Sequence, residues 1–147
     1  MTSPTLRPAQ PADLEAIHSL LMGENLPIDG VESHLDTFLV LAQDDHLIGC
    51  VGLEVYGTQA LLRSLAVSPT HRGRGWGRTL TEAVIHKAAA LDVTRVALLT
   101  ITAESFFERH GFTRIPREDV DPRVWTSVEF TSCCPCSAAC MRRDIEN

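Results

Sequence analysis

Hydrophobic residues along this chain keep to two alternating periods. Over residues 37–42, 47–56, 61–67 and 96–100 they form short, largely apolar runs, the third halted by Pro69; such runs predict β-strands. Over residues 11–21 and 79–91 the spacing lengthens to three and four. Leu14, Ile17 and Leu21 then share one helical face, and Leu80, Ala83, Val84, Ala88 and Leu91 another. Pro11, followed by Asp13 and Glu15, opens the first helix, because proline suits the first helical position and acidic side chains suit the amino-terminal turn. Residues 103–110 predict a short helix that Gly111 closes as a cap, and residues 112–115 start another strand. Asp44-Asp45 joins the first two apolar runs as a hairpin. A first strand lies around Leu6. Residues 25–36, with Pro27 and Gly30, read as a loop covering a site, with a short helix over residues 31–35. Beyond Pro116, residues 121–128 read as helical and residues 132–141 as a last strand.

Strands alternating with helices predict an α/β architecture. With 147 residues, 44% of them hydrophobic, residues 1–147 suit one domain with a substantial core. The formal net charge of -6 comes without any extended basic block, which argues against a nucleic-acid surface. No apolar run approaches the roughly 18 residues of a membrane span, and no basic segment followed by an apolar core marks the amino terminus. A soluble, cytoplasmic protein is the expectation. Four of the five cysteines are Cys133, Cys134, Cys136 and Cys140, a crowding unlike a secreted disulfide framework. Thiolates favour zinc or trivalent arsenic. An extended strand, however, points Cys133 and Cys134 to opposite faces, so joint ligation needs a turn near Pro135. The six histidines show no metal spacing, and no metal is expected.

One stretch carries chemistry. His71-Arg72-Gly73-Arg74-Gly75-Trp76-Gly77 lies between the apolar run ending at Val67 and the helical pattern after Arg78. Alternate glycines remove Cβ atoms where backbone must turn and approach a ligand, and the loop delivers N–H groups at a helix start. Arg72, Arg74 and Arg78 add positive charge in an otherwise acidic chain. The combination points to a pyrophosphate.

Arg72, Gly75 and Gly77, preceded by Leu65-Ala66-Val67 and Pro69, together with Ala103 and the run Phe106 to Phe112, resemble the two cofactor motifs of the GNAT N-acetyltransferases. The resemblance covers nearly the whole chain. It implies a mixed, mostly antiparallel sheet with a splayed strand pair and helices on both faces. It also implies acetyl-CoA as cosubstrate. Leu65 and Val67 would meet the pantetheine arm, and Arg72, Gly73, Arg74, Gly75, Gly77 and Arg78 the pyrophosphate. Thr100 and Phe107 would flank the cofactor. Many relatives carry tyrosine where Phe107 stands, and a phenyl ring cannot protonate a leaving thiolate.

An amine arrives as ammonium and needs a base. Glu54, where relatives commonly place a carboxylate, is the candidate; the alternative is a solvated strand residue. The segments from Leu98 to Thr100 and from Pro116 to Met141 look like the acetyltransferase domain of N-acetylglutamate synthases. They look still more like small acetyltransferases associated with arsenic resistance, whose relatives acetylate phosphinothricin and arsinothricin. A glutamate-like amino acid is therefore the implied acceptor, a small-molecule amine. Its carboxylate needs a cation, for which Arg63 is the candidate against a surface or interface arginine. Ser137 matches a substrate-binding serine of the synthases, while Pro135 stands where they carry arginine. The alternative function is a catalytically weak domain that senses acyl-CoA or a thiophilic metalloid. A homodimer paired through the last strand, as in some relatives, is a further expectation.

Overall fold

The computed structural model describes residues 3–133 and 138–145. Its strands are β1 Thr5–Pro8, β2 Phe38–Gln43, β3 His46–Tyr56, β4 Gln59–Val67, β5 Arg95–Thr100, β6 Thr113–Arg114 and β7 Ala139–Asp144. The helices are α1 Leu14–Gly23, α2 Trp76–Ala90 and α3 Glu104–Glu108. Among the described residues the strands form one sheet in the order β1-β2-β3-β4-β5-β7-β6, with β4 and β5 as the parallel pair. The sheet is mixed and mostly antiparallel, as the resemblance implied.

Alternation along the strands divides the core into two layers. Leu39, Leu41, Val51, Leu53 and Leu62 pack beneath Leu80, Val84 and Ala88 of α2 and Phe107 of α3. Phe38, Val40 and Cys50 face the other way, against Ile17 and Leu21 of α1. Helices therefore cover both faces. The Asp44-Asp45 hairpin forms with φ of 51° and 67°, the paired left-handed values of a tight turn.

Three boundaries differ from the sequence reading. Helix α2 starts at Trp76, not near Thr79, because Gly75 adopts φ 81° as its amino-terminal cap and Gly77 falls inside the helix. Residues 121–128 form only a short 3-10 turn, Val124–Thr126; Asp121 accepts the Arg123 N–H at 2.9 Å and closes a local turn instead. The last strand begins at Ala139, after a π-helical turn at Glu129–Cys133.

Two irregularities position the site. Cys50 pairs with Ala66 and Gly52 with Arg63, so Val51 opposes both Ser64 and Leu65 in a β-bulge. Ser64 takes φ 61°, unusual for a residue with a Cβ and a mark of imposed geometry. The bulge reverses the alternation of β4. Leu61 and Arg63 share the α1 side of the sheet, whereas Leu65 and Val67 pack on the α2 side. In addition, β4 pairs with β5 only from Gln59 to Leu61; beyond that the two strands part.

Opposite the bulge, Gly52 lies beneath the buried Phe38 ring. A Cβ there would fall 2.2 Å from a ring carbon. Gly52→Ala should cost about 1–3 kcal/mol by overpacking, read from the denaturant midpoint, with Phe38→Leu in the same chain restoring part of the loss.

Candidate active site

The parting of β4 from β5 opens a cleft of about 830 Å³. Its walls are Leu62 to Leu65 of β4, Leu98 to Thr100 of β5, the following Ile101 to Ala103, and Phe107 of α3. Residues 24–27 and Asp29 close one side, and Glu129 contributes from the turn before β7. The covering loop expected over residues 25–36 is thus present at the cleft, with its short helix at Glu32–Thr37.

At the rim lies the glycine-rich loop. Gly73 and Gly75 have φ of 79° and 81°, and a Cβ on either would meet no atom within 4 Å. Open space faces these glycines, so their need is conformational, and the space in front of the loop is free for a ligand. The first N–H groups of α2 have no intrahelical acceptors, as at any helix start. Arg74 and Arg78 are exposed, while Arg72 contacts the carboxylate of Glu24, a residue of the cleft wall. A Cβ at Gly77 would be 3.5 Å from Phe106, so α3 seats the loop beside the cleft. Trp76 packs against the core on the α2 side.

The other expected residues distribute as follows. Leu65, Thr100 and Phe107 line the cleft, with Val67 further along the separated edge of β4. Thr100 Oγ accepts the Ala103 N–H at 3.0 Å, shaping the turn that ends β5. Phe107 packs edge-on to Phe106 and Phe112. Ser137, Cys134, Pro135 and Cys136 lie outside the described residues, and with them half of the cysteine cluster. Cys140 is buried and not in a disulfide. Among the described residues no group of three His, Cys, Asp or Glu side chains could hold a metal ion.

Glu54 and Arg63 come together. Both are buried, which removes the solvated-strand reading of Glu54 and the surface reading of Arg63. Arg63 Nη1 donates to Glu54 Oε2 at 2.8 Å, Nε to Ser64 Oγ at 3.0 Å and Nη2 to the Pro27 carbonyl at 3.2 Å. Glu129 Oε2 stands 3.9 Å from Nη2. The Tyr56 hydroxyl donates to Glu54 Oε1 at 2.5 Å, and His34 Nε2 is 3.7 Å from the same oxygen. Burial by itself would raise the Glu54 carboxyl, but hydrogen bonds from Tyr56, Arg63 and Ser127, with His34 nearby, outweigh it and hold it below the ordinary carboxylate range. Burial and the Glu54 charge push the Tyr56 hydroxyl up to about 12, so it stays a hydrogen-bond donor at neutral pH. The Arg63 side chain lies within the cleft wall with none of its surface exposed.

Glu129, Ser64 and Glu24 were not foreseen. The bulge that makes Ser64 special has no side-chain signature. Glu129 did carry one, a carboxylate between Val128 and Phe130 in an otherwise apolar tripeptide.

A sheet whose parallel strands part over a cleft, beside an arginine- and glycine-rich helix start, is an architecture for handling a long anionic thioester. Residues 34–114 match the acetyltransferase (GNAT) domain model, and the chain belongs to this family, the acetyl-CoA-dependent N-acetyltransferases. An uncharacterized N-acetyltransferase of Chlorobaculum tepidum is 29% identical over 143 residues, covering 92% of this chain and 90% of that protein. The amino-acid acetyltransferase of Mycobacterium tuberculosis is 31% identical over 139 residues, covering 85% and 77%. The fold superposes with a TM-score of 0.84, at 20% identity, on N-acetylglutamate synthase from Neisseria gonorrhoeae complexed with coenzyme A and N-acetyl-glutamate. This chain is covered in full by that comparison and spans 36% of the synthase chain.

Proposed function

We propose that residues 1–147 act as one acetyltransferase domain that moves acetyl from acetyl-CoA to the amine of a small amino acid, with glutamate-like molecules as the acceptor class. The observation that carries the donor side is the stretch of β4 beyond Leu61, where it keeps its pairing with β3 but parts from β5, next to the open glycine loop. An extended arm needs a free strand edge, and a pyrophosphate needs N–H groups and positive charge; the residues present fit both. Leu65 and Val67 supply the edge. Arg72, Gly73, Arg74, Gly75, Gly77 and Arg78 form the anion cradle, and Thr100 and Phe107 wall the opposite side. Acetyl-CoA, when bound, supplies the acetyl group in activated thioester form.

The acceptor side is the buried group of Glu54, Arg63 and Glu129. The ammonium proton leaves toward this carboxylate group, the role for which Glu54 stands out in the sequence. Arg63 and Ser137 serve an acceptor carboxylate. Amino-acid acetyltransferases among the relatives support the acceptor class, and detoxification of a glutamate mimic is the biological role we favour. The test is release of free CoA thiol on adding acetyl-CoA with glutamate, phosphinothricin or arsinothricin. Turnover with one of them is expected. Tight acetyl-CoA binding with silence across an amine panel would instead identify a sensor.

A further inference from the structure

The bulge in β4 controls which face that strand shows to the cleft. Under regular alternation Leu61, Arg63, Leu65 and Val67 would share one side of the sheet. The extra residue sends Leu65 to the α2 side instead, where it lines the cleft. A slip to regular pairing would turn Leu65 and Val67 over and remove the edge on which the donor side depends. A bulge containing a serine at φ 61° persists only where its surroundings over-determine it. Side chains of both strands hold Ser64. Arg63 Nε donates to its Oγ at 3.0 Å. From β3, the Cys50 thiol donates to its carbonyl at 3.2 Å, and a backbone hydrogen bond from Ala66 meets the same sulfur. The sulfur thus bridges the backbone on either side of Leu65. Cys50 has no exposed surface and lies on the α1 side with Phe38, Val40 and Ala66. Burial pushes its thiol up to about 12, so the sulfur keeps its proton, and with it its donor, at neutral pH.

We infer that Cys50 is a positioning residue for acetyl-CoA: its thiol, spanning Ser64 and Ala66, holds the β4 bulge in the shape that presents Leu65 and Val67 to the pantetheine arm. This rests on the acetyltransfer reading above, in which that edge receives the cofactor. A buried sulfur that only fills core space is the competing role, and the two differ in where a substitution is felt. A bulge deprived of its clamp relaxes away from the left-handed φ, and the relief of strain offsets part of the lost hydrogen bond. Binding must then restore the clamped shape, so the loss falls on affinity more than on stability. Loss of a mere packing group falls on stability, through the cavity it leaves, and the cofactor edge stays as it was.

The experiment compares Cys50→Ala, Cys50→Val and Cys50→Ser with the unmodified chain. It reads acetyl-CoA affinity by calorimetry and thermal stability, alongside CoA thiol release with an accepted amine. Cys50→Ala and Cys50→Val both remove the donor, and Cys50→Val still fills the space. Each should weaken acetyl-CoA binding about fivefold or more, out of proportion to any change in Tm. Cys50→Ser restores a donor and should hold affinity near that of the unmodified chain, even if the buried hydroxyl lowers Tm. In kinetics the same loss belongs to the KM for acetyl-CoA, with the KM for the amine unmoved. A Cys50→Ala or Cys50→Val variant that binds acetyl-CoA as the unmodified chain does overturns the assignment. So does a folded Cys50→Ser variant that binds as weakly as Cys50→Ala. If the unmodified chain itself fails to bind acetyl-CoA, the acetyltransfer reading falls, and that result precedes any variant.

Discussion

Gly75→Val is expected to raise the KM for acetyl-CoA at least about tenfold while kcat and the fold change far less. Gly75 caps α2 with φ 81°, a region that costs a β-branched residue about 1–3 kcal/mol. No atom stands within 4 Å of the Cβ to be added, so the penalty is not a clash and the core is untouched. The chain escapes the strain by re-aiming the loop, which turns the N–H groups of the helix start away from the pyrophosphate. Each 1.4 kcal/mol of that misalignment is worth about a factor of ten in affinity. If the whole penalty fell on folding instead, it would lower Tm by only about 2–4 °C per kcal/mol in a domain of this size. Steady-state kinetics with varied acetyl-CoA, together with a thermal melt, separate the two. An unchanged KM would sink the anion-cradle assignment.

Glu54→Leu should be the most damaging single change to stability, at about 3–5 kcal/mol. It leaves the Arg63 guanidinium, whose side chain has no exposed surface, without its nearest counter-charge, and takes from the Tyr56 hydroxyl its carboxylate acceptor. Glu129 at 3.9 Å is too distant to replace the lost hydrogen bond. Combining Glu54→Leu with Arg63→Met should recover much of the loss, because the buried charge then disappears along with its partner. Denaturant unfolding of the two single variants and the double one measures the coupling. The pH dependence follows from the lowered Glu54 carboxyl. A carboxylate depressed in the folded state contributes stability fully above its unfolded value, about 4.3, and that contribution is lost as pH falls through the folded value. Glu54→Gln should therefore flatten the acid side of the stability curve.

These two changes strike parts of the site that differ in how far the sequence disclosed them. The glycine loop was legible because its chemistry is local: alternate glycines, flanking arginines, an apolar run before and a helical period after. Even there the helix start moved to Trp76, since only the observed φ at Gly75 shows where the turn ends. The hairpin at Asp44-Asp45, the Gly111 cap and most of the α2 stripe were legible for the same reason, each depending on neighbours within one turn or one hairpin; Leu91, expected on that stripe, instead lies just past the helix end and is exposed. Glu54 and Arg63 were both singled out, but as separate groups meeting a substrate. That each is the other's partner is a cross-strand fact, decided by the register of β3 on β4.

Local pattern and spacing thus determined the α/β class, most of the order of the elements, the covering loop and the glycine-rich helix start, all of which arise from forces between residues close along the chain. The tertiary structure alone decided the bulge at Ser64, the parting of β4 from β5 and the placing of Glu129 beside Arg63. Those depend on how many residues one strand sets against its neighbour and on a late segment folding back over the sheet, and neither leaves a period in the sequence.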